Sequence, residues 1–189
     1  MGNINRKKEI TNICLDTFIK NGLSETTVRD LSTALKLQSG GIYYWFEDKD
    51  DAVVACAEEA ALRLEDNLII PAIKDINDPD QMMKRLKEHA DKMRQTMKFF
   101  VSVCALDKYE DRMRPALNRL TDRYEKYAQR FSEILNCDFD EVSPYVYLTI
   151  TTVSDYMIFG ETKYIMPQIE LIKKALKGFL NNNNEERAK

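Results

Sequence analysis

The sequence predicts an all-α protein with a small N-terminal three-helix helix-turn-helix domain followed by a larger helical domain, about nine helices in total. Apolar residues recur at helical spacing along most of the chain. Only 6 Gly and 5 Pro occur in 189 residues, too few to separate the many short strands of a β fold. An apolar fraction of 44% is sufficient for a hydrophobic core.

Residues 1–48 are predicted to contain the three short helices. The first covers 6–21 and ends at Gly22, a residue type that commonly stops helices. One face of this helix carries a continuous apolar stripe formed by Ile10, Ile13, Cys14, Thr17 and Phe18. Thr26 is expected to cap the second helix with its hydroxyl. The apolar face of that helix contains Val28, Leu31, Ala34 and Leu35.

The third helix is expected to begin at Gln38 and Ser39, and it carries two adjacent glycines. Gly40 and Gly41 cost about 1 kcal/mol each relative to alanine, a cost that a helix accepts where another molecule approaches its backbone. Ile42 and Phe46 follow, four residues apart, as core anchors, and Asp48 caps a helix over 49–70. This order is typical of a helix-turn-helix, whose second helix enters the major groove. The alternative is a loop with a short apolar helix behind it.

Four elements in residues 6–55 support one family resemblance. They are Phe18 with Gly22, the run Thr26 to Ser32, the run Gly40 to Phe46 (Gly-Gly-Ile-Tyr-Tyr-Trp-Phe), and Lys49. In this order and spacing they resemble the TetR family of bacterial transcriptional regulators. Two positions depart from the family's pattern. Ser32 stands where alanine is usual, and Lys36 occupies a turn where glycine is typical, so a left-handed backbone there would be strained.

The resemblance implies a homodimer bound to double-stranded DNA at a near-palindromic operator. Base edges are expected to face residues of the third helix, and Thr27, Tyr43 and Lys49 are expected to touch phosphates. The full set of predicted DNA contacts is Thr27, Gln38, Ser39, Gly40, Gly41, Tyr43, Tyr44 and Lys49. For Tyr43 the alternative is packing against the first helix.

Charge gives little support to DNA binding by itself. The formal net charge is −3, and residues 1–50 hold seven basic and seven acidic side chains. Affinity for DNA must therefore come from the local placement of cations.

The remaining chain, residues 49–180, is predicted to form the second domain, with 49–70 as the connecting helix and 181–189 as a polar tail. Residues 71–80 are expected to be a loop. Pro115 and Pro144 are both interpreted as first-turn residues that open helices, with Ser143 as an N-cap. The expected helices are 81–97, 99–107, 115–136, 143–159 and 167–180.

The resemblance also implies that the last two helices form the dimer interface and that this domain encloses a small, largely apolar effector. The expected dimer seam is Leu148, Thr152, Tyr156, Ile172, Leu176 and Phe179, with an ordinary intrachain core as the alternative. Asp155 and His89 are the expected polar ligand contacts, although an interface or capping role and a solvent-facing position are alternatives. The expected pocket walls are Met93, Phe100, Cys104 and Tyr147.

These patterns favour a transcriptional regulator, expected to be a repressor that a ligand releases from its operator. The alternative is a helix-turn-helix protein with a solid dimerisation domain and no inducer. Enzymes are disfavoured because H-E-x-x-H, G-x-S-x-G, P-loop and G-x-G-x-x-G patterns are absent, and no cofactor or metal is expected. Four scattered cysteines without a C-x-x-C pair indicate thiols in a reducing cytoplasm, and no apolar run approaches the length of a membrane span.

Overall fold

The computed structural model describes residues 2–38 and 40–187, with side chains for 5–38 and 40–181. Within these residues all regular structure is helical, which confirms the predicted fold class. A π-helical segment covers Glu65–Ile69, and 3-10 turns cover Gly41–Tyr44 and Asp107–Tyr109. The α-helices are α1 Gly2–Asn21, α2 Val28–Ala34, α3 Lys49–Leu64, α4 Ile70–Lys74, α5 Pro79–Cys104, α6 Glu110–Leu135, α7 Phe139–Phe159 and α8 Ile165–Arg187.

Fewer helices form than the nine expected. Residues 81–97 and 99–107 were expected to be separate, but α5 passes through both without a break. Nothing in the sequence near Lys98 removes a backbone donor or favours a turn, so one helix can continue. The loop expected at 71–80 is also shorter, because α4 ends at Lys74 and α5 begins at Pro79.

The two prolines expected to open helices lie inside them instead. α6 begins at Glu110, before Pro115, and α7 begins at Phe139, before Pro144, with Asp138 in the extended conformation of an N-cap. Ser143 is therefore a buried helical residue and not a cap. Each proline removes one backbone hydrogen bond near the start of a helix that has many others.

The expected polar tail is helical as far as Arg187. α8 begins at Ile165, whose N–H donates to the Thr162 hydroxyl oxygen at 3.1 Å. No helix in the described part of the chain is both long and apolar enough to cross a lipid bilayer.

The chain folds as two compact units, and neither is continuous in sequence. The first unit contains Met1–Arg63 and Gln95–Ala116, and the second contains Leu64–Arg94 and Leu117–Lys189. The functional boundary drawn between residues 48 and 49 stays a prediction. The helices α5 and α6 each contribute residues to both units.

The core of the first unit joins its two segments. The Phe18 ring of α1 stacks on Phe99 of α5 with 5.8 Å between ring centroids. Val103 and Met113 also belong to this core and are almost completely buried. The other members include Leu15, Leu31, Ile42, Phe46, Val53 and Ala57. The N-terminal helices therefore share one hydrophobic core with residues 99–113.

Lys36 has the left-handed backbone conformation that the sequence predicts, with φ of 56°. It follows the C-cap Leu35, and the N–H groups of Lys36 and Leu37 donate to the carbonyls of Thr33 and Ser32 at 3.0 and 2.9 Å. This is the hydrogen-bond pattern of a Schellman motif, in which glycine is preferred at this position. This chain has lysine at that position, so the backbone of Lys36 is strained.

Replacing Lys36 by glycine should stabilise the protein. An L residue in the left-handed region costs roughly 1–2 kcal/mol, and the greater unfolded-state freedom of glycine offsets about 0.4–1 kcal/mol. We expect Lys36→Gly to raise the free energy of unfolding by about 0.5–1 kcal/mol, measured by urea denaturation. Lys36→Ala removes the same charge but retains Cβ, so an equal gain in that variant would contradict the conformational explanation.

Candidate nucleic-acid interface

The N-cap of α2 is Thr27 and not Thr26. The Thr27 hydroxyl accepts from the Asp30 N–H at 3.2 Å and donates to the Asp30 carboxylate at 2.7 Å, and the Thr27 N–H donates to the same carboxylate at 2.8 Å. These hydrogen bonds hold the pKa of Asp30 below its usual value. Thr26 is fully buried, and its hydroxyl donates to the Gly22 carbonyl at 2.6 Å. Both donors of Thr27 are thus engaged by Asp30 in the free protein.

The segment expected to be the third helix is a 3-10 turn over Gly41–Tyr44, preceded by Gly40 with φ of 88°. Ile42 and Phe46 are each 2% exposed and anchor the turn in the core of the first unit. Tyr43 and Tyr44 point away from that core, with exposures of 57% and 76%. Exposure of Tyr43 does not fit the alternative of packing against the first helix. The turn therefore presents two neighbouring aromatic side chains to solvent.

The two adjacent glycines have reasons within the chain itself. Gly40 occupies the left-handed region, where a side chain would be strained. A Cβ at Gly41 would lie 3.0 Å from the Leu37 Cβ, tighter than ordinary packing. Gln38 is exposed, and Ser39 lies outside the described residues. The backbone of Gly40 and the side chains of Gln38, Tyr43 and Tyr44 are accessible together on this segment.

Lys49 stands at the first position of α3 and is half-buried. Its ammonium donates to the Ser24 carbonyl at 3.4 Å, a long contact across the loop between α1 and α2. Asp48 caps α3 as expected, because its carboxylate accepts the Asp51 N–H at 2.7 Å. Lys49 is thus a cation beside a helix N-terminus, and both features attract a phosphate group.

The acidic residues that follow the exposed turn are paired with residues from the second segment of the unit. Asp50 accepts from the Lys108 ammonium at 2.8 Å and the Tyr109 hydroxyl at 2.5 Å. These two hydrogen bonds hold the pKa of Asp50 below its usual value. Asp51 pairs with Arg112 at 3.4 Å. The pairing reduces the net negative charge at the start of α3.

The residues expected at the dimer seam are mostly buried within the chain. Thr152, Tyr156, Ile172 and Leu176 are buried, and Thr152 donates to Gln168 at 2.9 Å. Leu148 is half-buried, and Phe179 packs edge-on against Tyr145 with 5.5 Å between centroids. Their burial is compatible with the intrachain core that the sequence left as an alternative, and their role in a dimer interface stays a prediction.

The six residues expected to contact a ligand are not gathered at one place. Phe100 and Cys104 pack beside the core of the first unit, whereas the other four belong to the second unit. Among those, Asp155 is exposed, Tyr147 is 38% exposed, and His89 and Met93 are half-buried. Their roles in ligand binding stay predictions.

A small pocket that is open to solvent lies in the second unit. Most of its walls are apolar, and Tyr156 contributes to them although the sequence assigned it to the dimer seam. The lining residues are Met83, Leu86, Lys87, Ala90, Val153, Tyr156 and Ile169. The wall positions on α5 could have been found from the apolar stripe that includes Leu86 and Ala90.

His89 contacts the π-helical segment between α3 and α4. Its Nδ1 lies 2.5 Å from the Asn67 carbonyl oxygen. The contact places the proton of neutral His89 on Nδ1, because a carbonyl can only accept.

Removal of the His89 side chain should cost the free energy of its hydrogen bond to the Asn67 carbonyl. We expect His89→Ala to lower the free energy of unfolding by about 0.5–1.5 kcal/mol, the value of one hydrogen bond. Urea denaturation of the variant and the wild type measures the loss. An unchanged free energy of unfolding would show that this contact does not stabilise the second unit.

Among the described residues, no group of three or more His, Cys, Asp or Glu side chains could hold a metal ion. Cys14 and Cys56 are buried in the first unit, and Cys104 and Cys137 are half-buried. Burial, together with the neighbouring Cys14, raises the pKa of the Cys56 thiol well above its usual value. Buried thiols of this kind are poorly reactive.

Two solved structures illustrate the similarity of this fold to known proteins. One is a transcriptional regulator of the TetR/AcrR family from Aquifex aeolicus VF5, with a TM-score of 0.56, 15% identity, and coverage of 90% of this chain and 98% of the other. The second is a putative TetR-family transcriptional regulator from Mesorhizobium loti MAFF303099, with a TM-score of 0.58, 20% identity, and coverage of 94% and 96%. No family model and no curated protein matches the sequence. At these identities the likeness shows a common fold across nearly the whole chain.

Proposed function

We propose that this protein is a sequence-specific DNA-binding transcriptional regulator that acts as a homodimer. The observation that carries the proposal is the Gly41–Tyr44 turn, which exposes Tyr43 and Tyr44 while Ile42 and Phe46 fix it to the core. A rigid support beneath exposed polar-tipped side chains is suited to reading base edges and phosphates. The fold shared with two transcriptional regulators supports the same function.

We assign base-edge contacts to the surface formed by Gln38, Gly40 and Tyr44, together with Ser39 and the adjacent Gly41. Phosphate contacts are assigned to Tyr43 and Lys49. Lys36 is exposed directly before this surface and is a further cation for the phosphate backbone, a position the sequence did not single out for DNA. Thr27 can join only if its Asp30 hydrogen bonds rearrange, since its donors are engaged.

Dimerisation is proposed through the outer face of α7 and α8. Between Val142 and Phe159 the only charged residue is Asp155, although much of this helix is exposed. Tyr147, Phe159 and Leu171 are 38%, 68% and 52% exposed. Exposed aromatic residues are typical of interfaces between subunits. The exposed faces of these helices, rather than their buried faces, are therefore the proposed contact.

Regulation by a small apolar molecule is the second part of the proposal. Its support is the second unit, which contains a small apolar pocket and is far larger than DNA contact alone requires. A ligand weakens the DNA complex only if it prefers the DNA-incompetent conformation, and DNA then weakens ligand binding by the same factor. Coupling of about 1–3 kcal/mol would be ordinary. The alternative is a dimerisation domain without an inducer, for which ligand affinity would be equal with and without operator.

The DNA-binding proposal is tested by selecting bound sequences from a random DNA pool and measuring the salt dependence of binding to the selected site. Lys49→Ala should weaken binding to all sequences alike and reduce the salt slope by about 1, because one phosphate contact is lost. Fluorescence anisotropy over a salt series gives the slope. Failure to enrich any sequence would contradict the proposed function.

The matched control is Lys98→Ala, which removes an exposed lysine from α5 outside the proposed surface. It should leave the salt slope unchanged. Because Lys49 also contacts the Ser24 carbonyl, the unfolding midpoint of Lys49→Ala is measured alongside. An unchanged slope in a folded Lys49→Ala protein would remove Lys49 from the phosphate contacts.

A further inference from the structure

A buried carboxylate lies in the π-helical segment that follows α3. Glu65 is the first residue of that segment. Its carboxylate side chain is almost completely buried, and the residue is 2% exposed. π-Helical turns within α-helices occur frequently at functional sites. A buried carboxylate is costly unless its oxygens are paired with donors. The pairing of the two oxygens therefore decides what Glu65 can do.

Only one oxygen of Glu65 is satisfied. Oε1 accepts from both Nε and Nη2 of Arg123, at 3.0 and 2.6 Å. Oε2 is buried and has no hydrogen-bond partner. A buried acceptor without a donor destabilises the protein by the full free energy of its desolvation, about 1–3 kcal/mol and more for a charged group. Oε2 is thus an open position for a donor.

The two partners differ in their freedom to move. The Arg123 side chain is 44% exposed, whereas that of Glu65 is 2% exposed. The guanidinium is already partly solvated and can move into water, whereas the carboxylate is held in the interior by its helix. The path that Arg123 occupies consequently leads from solvent to the buried carboxylate.

Tyr124 provides an aromatic surface near the same carboxylate. Burial and the negative charge of Glu65 together raise the pKa of Tyr124 to about 12, so this side chain stays neutral. An ammonium group is attracted both by a carboxylate and by the face of an aromatic ring. A neutral alcohol gains much less from either group.

We propose that Glu65 is the polar recognition group of a ligand site in the second unit, and that the ligand is an apolar molecule bearing a primary ammonium. The ammonium displaces Arg123 and donates to both carboxylate oxygens, and the apolar part covers the surface that the Arg123 stem covers in the free protein. The inference rests on the proposed ligand-responsive function and names the class of its effector. It also replaces Asp155, which is exposed, as the principal acidic contact.

The test uses the full-length protein with octylammonium and 2-phenylethylammonium as probes, each compared with 1-octanol or 2-phenylethanol. Calorimetry should show both ammonium compounds binding at least about tenfold more tightly than the matching alcohols. Glu65→Gln retains the side-chain shape and should weaken ammonium binding by about 10- to 100-fold. Glu88→Gln changes an exposed carboxylate of α5 and should leave the affinity unchanged.

Arg123→Gln separates recognition from a structural ion pair. It leaves Glu65 without its partner, so the melting temperature should fall, and the ammonium probes should restore it by more than they raise that of the wild type. Equal affinity for ammonium and alcohol, an unchanged affinity in Glu65→Gln, or no ammonium binding at millimolar concentration would each overturn the site. DNA binding is measured on the same samples. Loss of the ligand site with operator binding intact overturns this inference alone, whereas absence of operator binding overturns the proposed function.

Discussion

Leu171→Glu should convert the protein into a folded monomer that no longer holds its operator. Leu171 lies on the outer face of α8 and is 52% exposed, so a charge there is tolerated in the isolated chain. In a dimer the same charge would be buried against the partner without a counter-ion, which costs several kcal/mol. One half-site then contributes alone, and affinity should fall by about a thousandfold or more toward non-specific binding.

Light scattering and operator binding at fixed salt measure the two effects together. The matched variant is Leu176→Glu, at a position that is 4% exposed within the chain. That change buries a charge in the core of the second unit, so it should unfold this unit rather than separate subunits. If Leu171→Glu remains dimeric and retains operator affinity, the outer face of α8 is not the interface.

Phe99→Ala should destabilise the N-terminal helices although residue 99 is far from them in sequence. The Phe99 ring is 6% exposed and stacks on Phe18 of α1. Truncation of a buried phenylalanine costs about 3–5 kcal/mol, through lost burial and the cavity that remains. The amide protons of α1 should consequently exchange faster, and DNA affinity should fall at temperatures where the first unit begins to open.

Val101→Ala, two residues away on α5, is the control. Its side chain is 38% exposed, and the change should alter the free energy of unfolding by less than about 0.5 kcal/mol. Hydrogen exchange of both variants locates the effect. Unchanged exchange in α1 of Phe99→Ala would show that the N-terminal helices are stable without the contribution of α5.

Local chemistry was a reliable guide where a residue type has one strong preference. The core anchors Ile42 and Phe46, the α3 cap Asp48 and the left-handed Lys36 all occupy the positions expected. The expected cap Thr26 was wrong, because threonine can cap a helix at either of the two adjacent positions. The pair Thr27 and Asp30, three residues apart, is the signature of a capping box and could have settled the choice.

Longer-range structure was harder to predict because several patterns have two meanings. Proline is favoured at the start of a helix but is also tolerated inside one, so Pro115 and Pro144 gave false helix starts. Apolar stripes on α7 and α8 indicate burial, but they do not show whether the stripe packs within the chain or against a second subunit. The Ile172 side of α8 packs within the chain. Glu65 gave no signal, since only the tertiary structure shows that its carboxylate is buried.

The discontinuous first unit has a consequence for synthesis on the ribosome. Its second segment, Gln95–Ala116, is translated only after the chain has passed through Leu64–Arg94 of the other unit. At about 5–20 residues per second, the 53 residues between positions 63 and 116 take roughly 3–10 s. During that interval the apolar faces of α1 and α3 lack the part of their core that Phe99 and Val103 supply. Nascent chains at this stage should be clients of chaperones, and a fragment ending at Arg63 should be less stable than the intact first unit.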